Sequence, residues 1–281
     1  MVSATTSKWR YGLYVPAGLA DADSAPLVVV LHGCHQRALR FAYATGWTRL
    51  ADQRRVRLLC PDQRRRANPY RCWNWFHPMA QRGRGELEVV LAMIDEVKKS
   101  VSVDDERVMV VGLSAGGALA ALLAFNHGER FRAVAVVAAL PFLGELNVQD
   151  PRDVMKRGLA LGPILPLGMR RRAPPPLAIV HGDIDEVVVK KCGDDLAAQA
   201  LELLRRSGAK VDAGTPFEAA GQLTTDYRVD EGLALRRIGI AKQGHWWSGG
   251  PGGHPYCETG GAPLTSLCAR FFVEAGALPP V

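Results

Sequence analysis

Three residue types in this chain, far apart in sequence, could together carry acyl-transfer chemistry. Ser114 lies in Gly112-Leu113-Ser114-Ala115-Gly116, a Gly-x-Ser-x-Gly between an apolar β-branched run and an Ala/Leu-rich one. A serine on so sharp a turn needs small neighbours two residues either side, and both are glycine. The turn raises the hydroxyl above the end of a strand and sets a helix N-terminus beneath it, where positive potential and a free N–H can meet an oxyanion. A hydroxyl attacks poorly unless a base takes its proton, and imidazole is the natural base near neutral pH. Of the seven histidines, His245 sits in a loop after the last expected strand, in Gly244-His245-Trp246-Trp247, with His254 in the same glycine-rich tail as its competitor. Three acids compete to orient the base: Asp183, Asp185 and Glu186 follow the apolar run Leu177–Val180. Asp183 suits the turn itself. Asp185 lies further out, where a loop can aim a carboxylate at an imidazole, and is the expected third member.

The oxyanion would need a second N–H. Leu31-His32-Gly33-Cys34-His35-Gln36 follows an early strand, and Gly33 lets the backbone approach closely, so the N–H groups of Cys34 and Ala115 are the expected donors. His32 reads as a brace for that loop, and the Cys34 thiol is superfluous as a nucleophile beside Ser114. Four of the six tryptophans form two pairs, Trp73/Trp75 and Trp246/Trp247. About half of them belong in the core, and Trp73, Trp75 and Trp247 are the candidates for lining an acyl or alcohol pocket.

These residues require a scaffold that brings strand ends together. Leu27–Leu31 is a continuous apolar run of strand length, as expected of a strand covered on both faces. A helix is expected around 41–55, then a strand Val56–Cys60 stopped by Pro61-Asp62. Leu87, Val90, Leu91, Ile94 and Val97 follow helical spacing and end at Lys98-Lys99. An acidic turn, Asp104-Asp105-Glu106, leads to a strand Val108–Val111, and a further strand is expected over Ala133–Ala139. Leu177–Val180 precedes a helix carrying Leu196, Ala200, Leu203 and Leu204; Leu233 to Ile240 suggests a last strand and Ala262–Glu274 a closing helix. Strands alternating with helices predict an α/β fold with a mostly parallel sheet and helices on both faces. No repeat or linker divides the 281 residues, so one domain is expected, with 144–176 inserted near the active-site edge. The chain order serine, aspartate, histidine is that of the α/β-hydrolases and excludes the chymotrypsin and subtilisin orders.

Composition excludes other classes. Hydrophobic residues at 48% and charged residues at 22% are ordinary globular values and rule out disorder, collagen-like and coiled-coil chains. The net charge of +7 and the runs Arg54–Arg55, Arg64–Arg66 and Arg170–Arg172 read as a solvated surface, with no nucleic-acid motif around them. Cysteines 34, 60, 72, 192, 257 and 268 show no Cys-x-x-Cys and the histidines no zinc spacing, so neither metal nor cofactor is expected. Val108–Phe125 is free of charge, but its central glycines mark a strand, a turn and a buried helix rather than a membrane span. The first ten residues lack the apolar stretch of a signal peptide.

Several segments together resemble the poly(3-hydroxybutyrate) depolymerase esterase family: PLVVVLHGCHQ (26–36), NPYRCWNWF (68–76), QRGRGE (81–86), VMVVGLSAGG (108–117), HGDIDEVV (181–188) and GHWWSGG (244–250). The resemblance implies an α/β-hydrolase that cleaves hydroxyalkanoate polyesters, or feruloyl or acetyl esters of plant polysaccharides as relatives do. It implies Ser114 as nucleophile, Asp185 as orienting acid and His245 as base, and suggests a Cys34–Cys72 bridge. It also implies an extracellular protein whose leader lies outside this chain; a complete chain would be cytoplasmic. Two positions depart from the family pattern: Ala138-Ala139 where Ser-Gly is frequent before Leu140-Pro141, and Cys60 where tyrosine is common before Pro61. No polymer-adsorbing domain is seen. The rival of another class is a non-catalytic binder that holds an anionic polymer on its arginine-rich faces.

Overall fold

The computed structural model describes residues 2–6, 9–144, 149–162, 165 and 172–280. Arg170 and Arg171 of the third arginine run, and twelve residues in all of the 144–176 excursion, lie outside them. Eleven strands form one sheet: β1 (Val2–Thr6), β2 (Trp9–Tyr14), β3 (Ala25–Leu31), β4 (Arg57–Asp62), β5 (Val103–Leu113), β6 (Ala133–Val137), β7 (Leu177–Gly182), β8 (Asp212–Ala213), β9 (Phe217–Ala219), β10 (Gln222–Val229) and β11 (Gly232–Ile240). Their order is β1-β2-β4-β3-β5-β6-β7-β11-β10-β8, with β9 beside β10. The six strands from β4 through β11 pair in parallel, and both flanks are antiparallel.

The apolar runs explain the middle of the sheet. Every residue of β3, β6 and β7 is buried, because helices cover both faces. On one face pack α4 (Glu86–Ser100), α5 (Ala115–His127) and α7 (Lys190–Arg206); on the other pack α1 (Ala38–Ala44), α2 (Trp47–Arg54) and α8 (Leu264–Glu274). Two short α-helices, α3 (Pro78–Gln81) and α6 (Pro151–Arg157), and a 3-10 turn at Gly128–Arg130 complete the set among the described residues.

Several local expectations need correction. The helix expected over 41–55 is two helices, because Gly46 enters the left-handed region (φ 82°) and breaks it. Pro61 and Asp62 do not stop β4 but belong to it. Beyond Leu59 only β2 still pairs with the strand, through Arg10↔Asp62 and Tyr11↔Pro61, so the proline meets no ladder on its other side. The acidic turn at 104–106 bulges out of β5 rather than preceding it. The register slips between Ala25↔Val103 and Leu27↔Val108, and the Asp104 carboxylate accepts the Glu106 N–H. β6 ends at Val137, and Ala138 follows with φ 48°. β1, β2 and β8–β10 have no counterpart in the sequence reading. β10 is polar and largely half-buried, so it shows no apolar run.

Candidate active site

Parallel strands deliver their C-terminal loops to one edge, and three such loops build the site. β5 is buried from Val108 to Leu113, then the chain reverses at Ser114 into α5. Ser114 takes φ 55°, ψ −122°, a conformation that L-residues rarely hold. A Cβ on Gly112 would collide with the backbone of Gly116, and one on Gly116 with the carbonyls of Leu31 and His32. Glycine at both places is therefore a packing requirement. The Ser114 N–H donates to Val137 O (2.9 Å) and its carbonyl accepts from Ala118 (2.8 Å), fixing the turn between β6 and the first turn of α5.

β7 and β11 are paired neighbours, so the loops after them rise side by side. Asp183 stitches them together. Its N–H donates to Ile240 O (3.0 Å) and its carboxylate accepts from the Lys242 N–H (2.7 Å), while the Ile184 N–H reaches Gln243 O (3.2 Å). It shapes the neighbouring loop rather than bonding its own backbone. This leaves Asp185 as the carboxylate that faces inward. One oxygen accepts the N–H groups of Val187 (2.9 Å) and Val188 (2.8 Å); the other accepts from His245 Nδ1 (2.8 Å). With Nδ1–H committed to Asp185, Nε2 of His245 carries the lone pair, and it lies 2.9 Å from Ser114 Oγ. All three side chains are buried, at 5–7% exposure.

Burial alone would raise the Asp185 carboxyl. Hydrogen bonds from His181 and His245 outweigh it and hold the group well below the usual carboxylate range. Asp185 is thus a fixed anion against the imidazole. His181 is wholly buried, with Nε2 donating to Val188 O (2.7 Å) and lying 3.5 Å from Asp185. His254 instead accepts the Arg37 N–H (3.1 Å) and has no bond to Ser114 among the described residues.

The loop after β3 closes the opposite side. Gly33 lies so close that a Cβ there would be 3.5 Å from the Ser114 Cβ. Its N–H donates to Gln36 Oε1 (2.6 Å), and Gln36 in turn donates to Pro255 O (2.5 Å), fastening this loop to the His245 tail. The N–H groups of Cys34 and Ala115 donate to no acceptor among the described residues. His32 is buried; Nδ1 donates to Gly33 O (2.7 Å) and Nε2 accepts the Gln63 N–H (3.1 Å). Burial pushes its imidazole down to about 4, against the opposing pull of the Gly33 carbonyl and Asp62. Cys34 and Cys72 form a disulfide that ties this loop to the aromatic segment 68–76.

Above Ser114 opens a cavity of about 310 Å³ lined by Cys34, His35, Tyr70, Cys72, Leu113, Met155, Val187, His245 and Tyr256. Trp73, Trp75 and Trp247 do not line it, so the expectation that they contact substrate is corrected. All three are buried, at 0–4% exposure. Trp73 stacks on Trp9 and donates to His32 O (3.1 Å); Trp247 packs edge-on against Phe41 and Trp47 and donates to Thr265 Oγ1 (3.0 Å). With their rings covered, and the indole N–H groups of Trp73 and Trp247 satisfied, they brace the loops that carry Cys72 and His245. The lining residues that sequence reasoning missed sit next to motifs it found: His35 and Tyr70 beside the bridged cysteines, Val187 beside Asp185. Met155 of α6 carries no sequence signal, yet it brings the 144–176 excursion to the site edge. Three lining residues, His35, Ser114 and Tyr256, have positive φ.

The fold is the α/β-hydrolase fold: a solved acetyl xylan esterase from Aspergillus awamori superposes with a TM-score of 0.74, covering 98% of both chains at 16% identity. Residues 9–222 match the esterase PHB depolymerase family, and the chain belongs to it. It is 28% identical over 272 residues to poly(3-hydroxyalkanoate) depolymerase C of Paucimonas lemoignei, covering 92% of this chain but 64% of that one. It is also 27% identical over 230 residues to feruloyl esterase B of Neurospora crassa, covering 76% of each. No described helix is long and apolar enough to cross a membrane.

Proposed function

We propose that this chain is a serine esterase in which Ser114, His245 and Asp185 act in sequence on a carboxylic ester, with hydroxyalkanoate oligomers as the preferred substrate class. The observation that carries this reading is the continuous contact from Asp185 through His245 to the Ser114 hydroxyl, at 2.8 and 2.9 Å. Ser114 Oγ attacks the ester carbonyl carbon as His245 Nε2 takes its proton. The N–H groups of Cys34 and Ala115 receive the oxyanion, and each such donor is worth about 3–4 kcal/mol in a comparable site. Collapse breaks the bond to the alcohol, which departs with the proton from His245 while the acyl group stays on Ser114. Water then attacks that acyl group, giving its proton to His245, and the acid departs as Ser114 regains the proton. Asp185 stays ionised throughout, stabilising the imidazolium and fixing its tautomer.

The substrate class rests on the depolymerase relative and on a lining of Tyr70, Leu113, Met155, Val187 and the disulfide, which suits a short branched acyl unit. The feruloyl esterase relative favours a second reading, a hydroxycinnamoyl ester. The test is turnover of hydroxybutyrate oligomers, methyl ferulate and p-nitrophenyl butyrate by the unsubstituted chain and by Ser114→Ala. The substituted chain should retain its fold and lose at least about 10⁴-fold in kcat. Near-normal turnover by Ser114→Ala would refute the assignment, and faster cleavage of methyl ferulate than of the oligomers would favour the second reading.

A further inference from the structure

Near the loop after β3 lies a groove of about 340 Å³ whose polar lining is Arg10, Arg37, Arg40 and Asp62, with Leu39 beside them. Three guanidinium groups there meet a single carboxylate, and that carboxylate is already committed. Asp62 accepts the Ala38 N–H (3.2 Å), pairs with Arg37 at 3.2 Å, and pairs from behind with Arg71 at 3.6 Å. Arg10 and Arg40 are exposed and have no carboxylate within ion-pair distance among the described residues. The groove therefore carries a net positive charge, with Arg10 and Arg40 unpaired among the described residues.

Its position joins it to the ester site. Arg37 stands two residues after His35, and Arg71 stands between Tyr70 and Cys72; His35, Tyr70 and Cys72 all line the ester cavity. The Arg37 N–H also donates to His254 (3.1 Å), two residues before Tyr256, which packs on His245. The groove thus adjoins the rim of the ester cavity through Arg37 and Arg71.

Resting on the ester-hydrolase reading above, we propose that this groove holds a free carboxylate carried by the substrate, so that an acid-terminated oligoester is bound in preference to a neutral one. The guanidinium fork matches a carboxylate in two parallel hydrogen bonds. The fixed negative charge of Asp62 in the groove favours a monoanion over a dianionic phosphate. Every hydroxyalkanoate oligomer ends in such a carboxylate, so this contact would seat the chain end and direct cleavage to the ester bonds near it.

The test is equilibrium binding to the full chain carrying Ser114→Ala, by calorimetry, with hydroxybutyrate trimer as the free acid and as its methyl ester. The acid should bind about fivefold more tightly at low salt, the size expected of two partly screened guanidinium contacts. That advantage should shrink at high salt and vanish when Arg10→Ala and Arg40→Ala are added. Equal affinity for acid and methyl ester, an undiminished preference in the arginine-substituted chain, or no binding of either ligand would overturn the proposal. Turnover of p-nitrophenyl butyrate by the unsubstituted chain reports separately on the esterase reading, because that ester bears no carboxylate.

Discussion

His32 illustrates how one side chain couples the site to pH. Its imidazole is neutral in the folded chain, since burial lowers it to about 4, whereas in the unfolded chain it titrates near its ordinary ~6.5. A lowered value means that the unfolded state binds the proton first. Its contribution is therefore complete above about pH 6.5 and drains away as pH falls toward about 4, by on the order of 2–3 kcal/mol. Asp185 behaves differently: being held below the ordinary carboxylate range, it withdraws stability only in more acidic solution. Urea unfolding of the parent should thus weaken between pH 6.5 and 4.5, and His32→Asn should show a shallower fall over that interval. Parallel slopes would mean that the proton is taken up elsewhere. Protonated His32 could no longer accept the Gln63 N–H, so acid should loosen the Cys34 loop.

At the scale of elements, the Cys34–Cys72 bridge closes a loop that spans α1, α2 and β4 and pins one proposed oxyanion donor against the aromatic segment. A crosslink of this sequence separation restrains the unfolded chain by roughly 3–4 kcal/mol. Reduction, or Cys72→Ser, is expected to lower the melting temperature and to reduce kcat/KM through misplacement of the Cys34 N–H; scanning calorimetry and ester kinetics check this. Unchanged kinetics after verified reduction would remove the bridge from the working site. The same scale decides what could be read in advance. The strand–turn–helix at Ser114 was legible because glycines at 112 and 116 and apolar runs on both sides leave one solution. β10 was not, because a strand covered on one face carries polar residues such as Thr225 and Asp226 that resemble a loop. Gly46 sits within an otherwise helical pattern, and only its positive φ divides the helix.

Across the whole molecule, core and site occupy different layers, and the tryptophans fall in the first. Loops rich in aromatic residues look like pocket walls in sequence. What decides between wall and brace is whether each indole finds a partner inside, and that depends on residues such as Thr265 and His32 from remote segments. Trp247→Phe is accordingly expected to lower unfolding stability by about 1–3 kcal/mol while leaving KM for a small neutral ester near its parent value. Met155→Ala should do the reverse, shifting KM with little change in stability. A Trp247→Phe chain with unaltered stability and a raised KM would return that residue to the site.

The central claim is that His245, aligned by Asp185, makes the Ser114 hydroxyl nucleophilic. Labelling with a fluorophosphonate, followed by peptide mass mapping, measures this without any choice of substrate. The account predicts one adduct, on Ser114, formed rapidly by the parent chain and slowed by several orders of magnitude in His245→Ala. No adduct on Ser114, or equal labelling of the parent and His245→Ala chains, would contradict it.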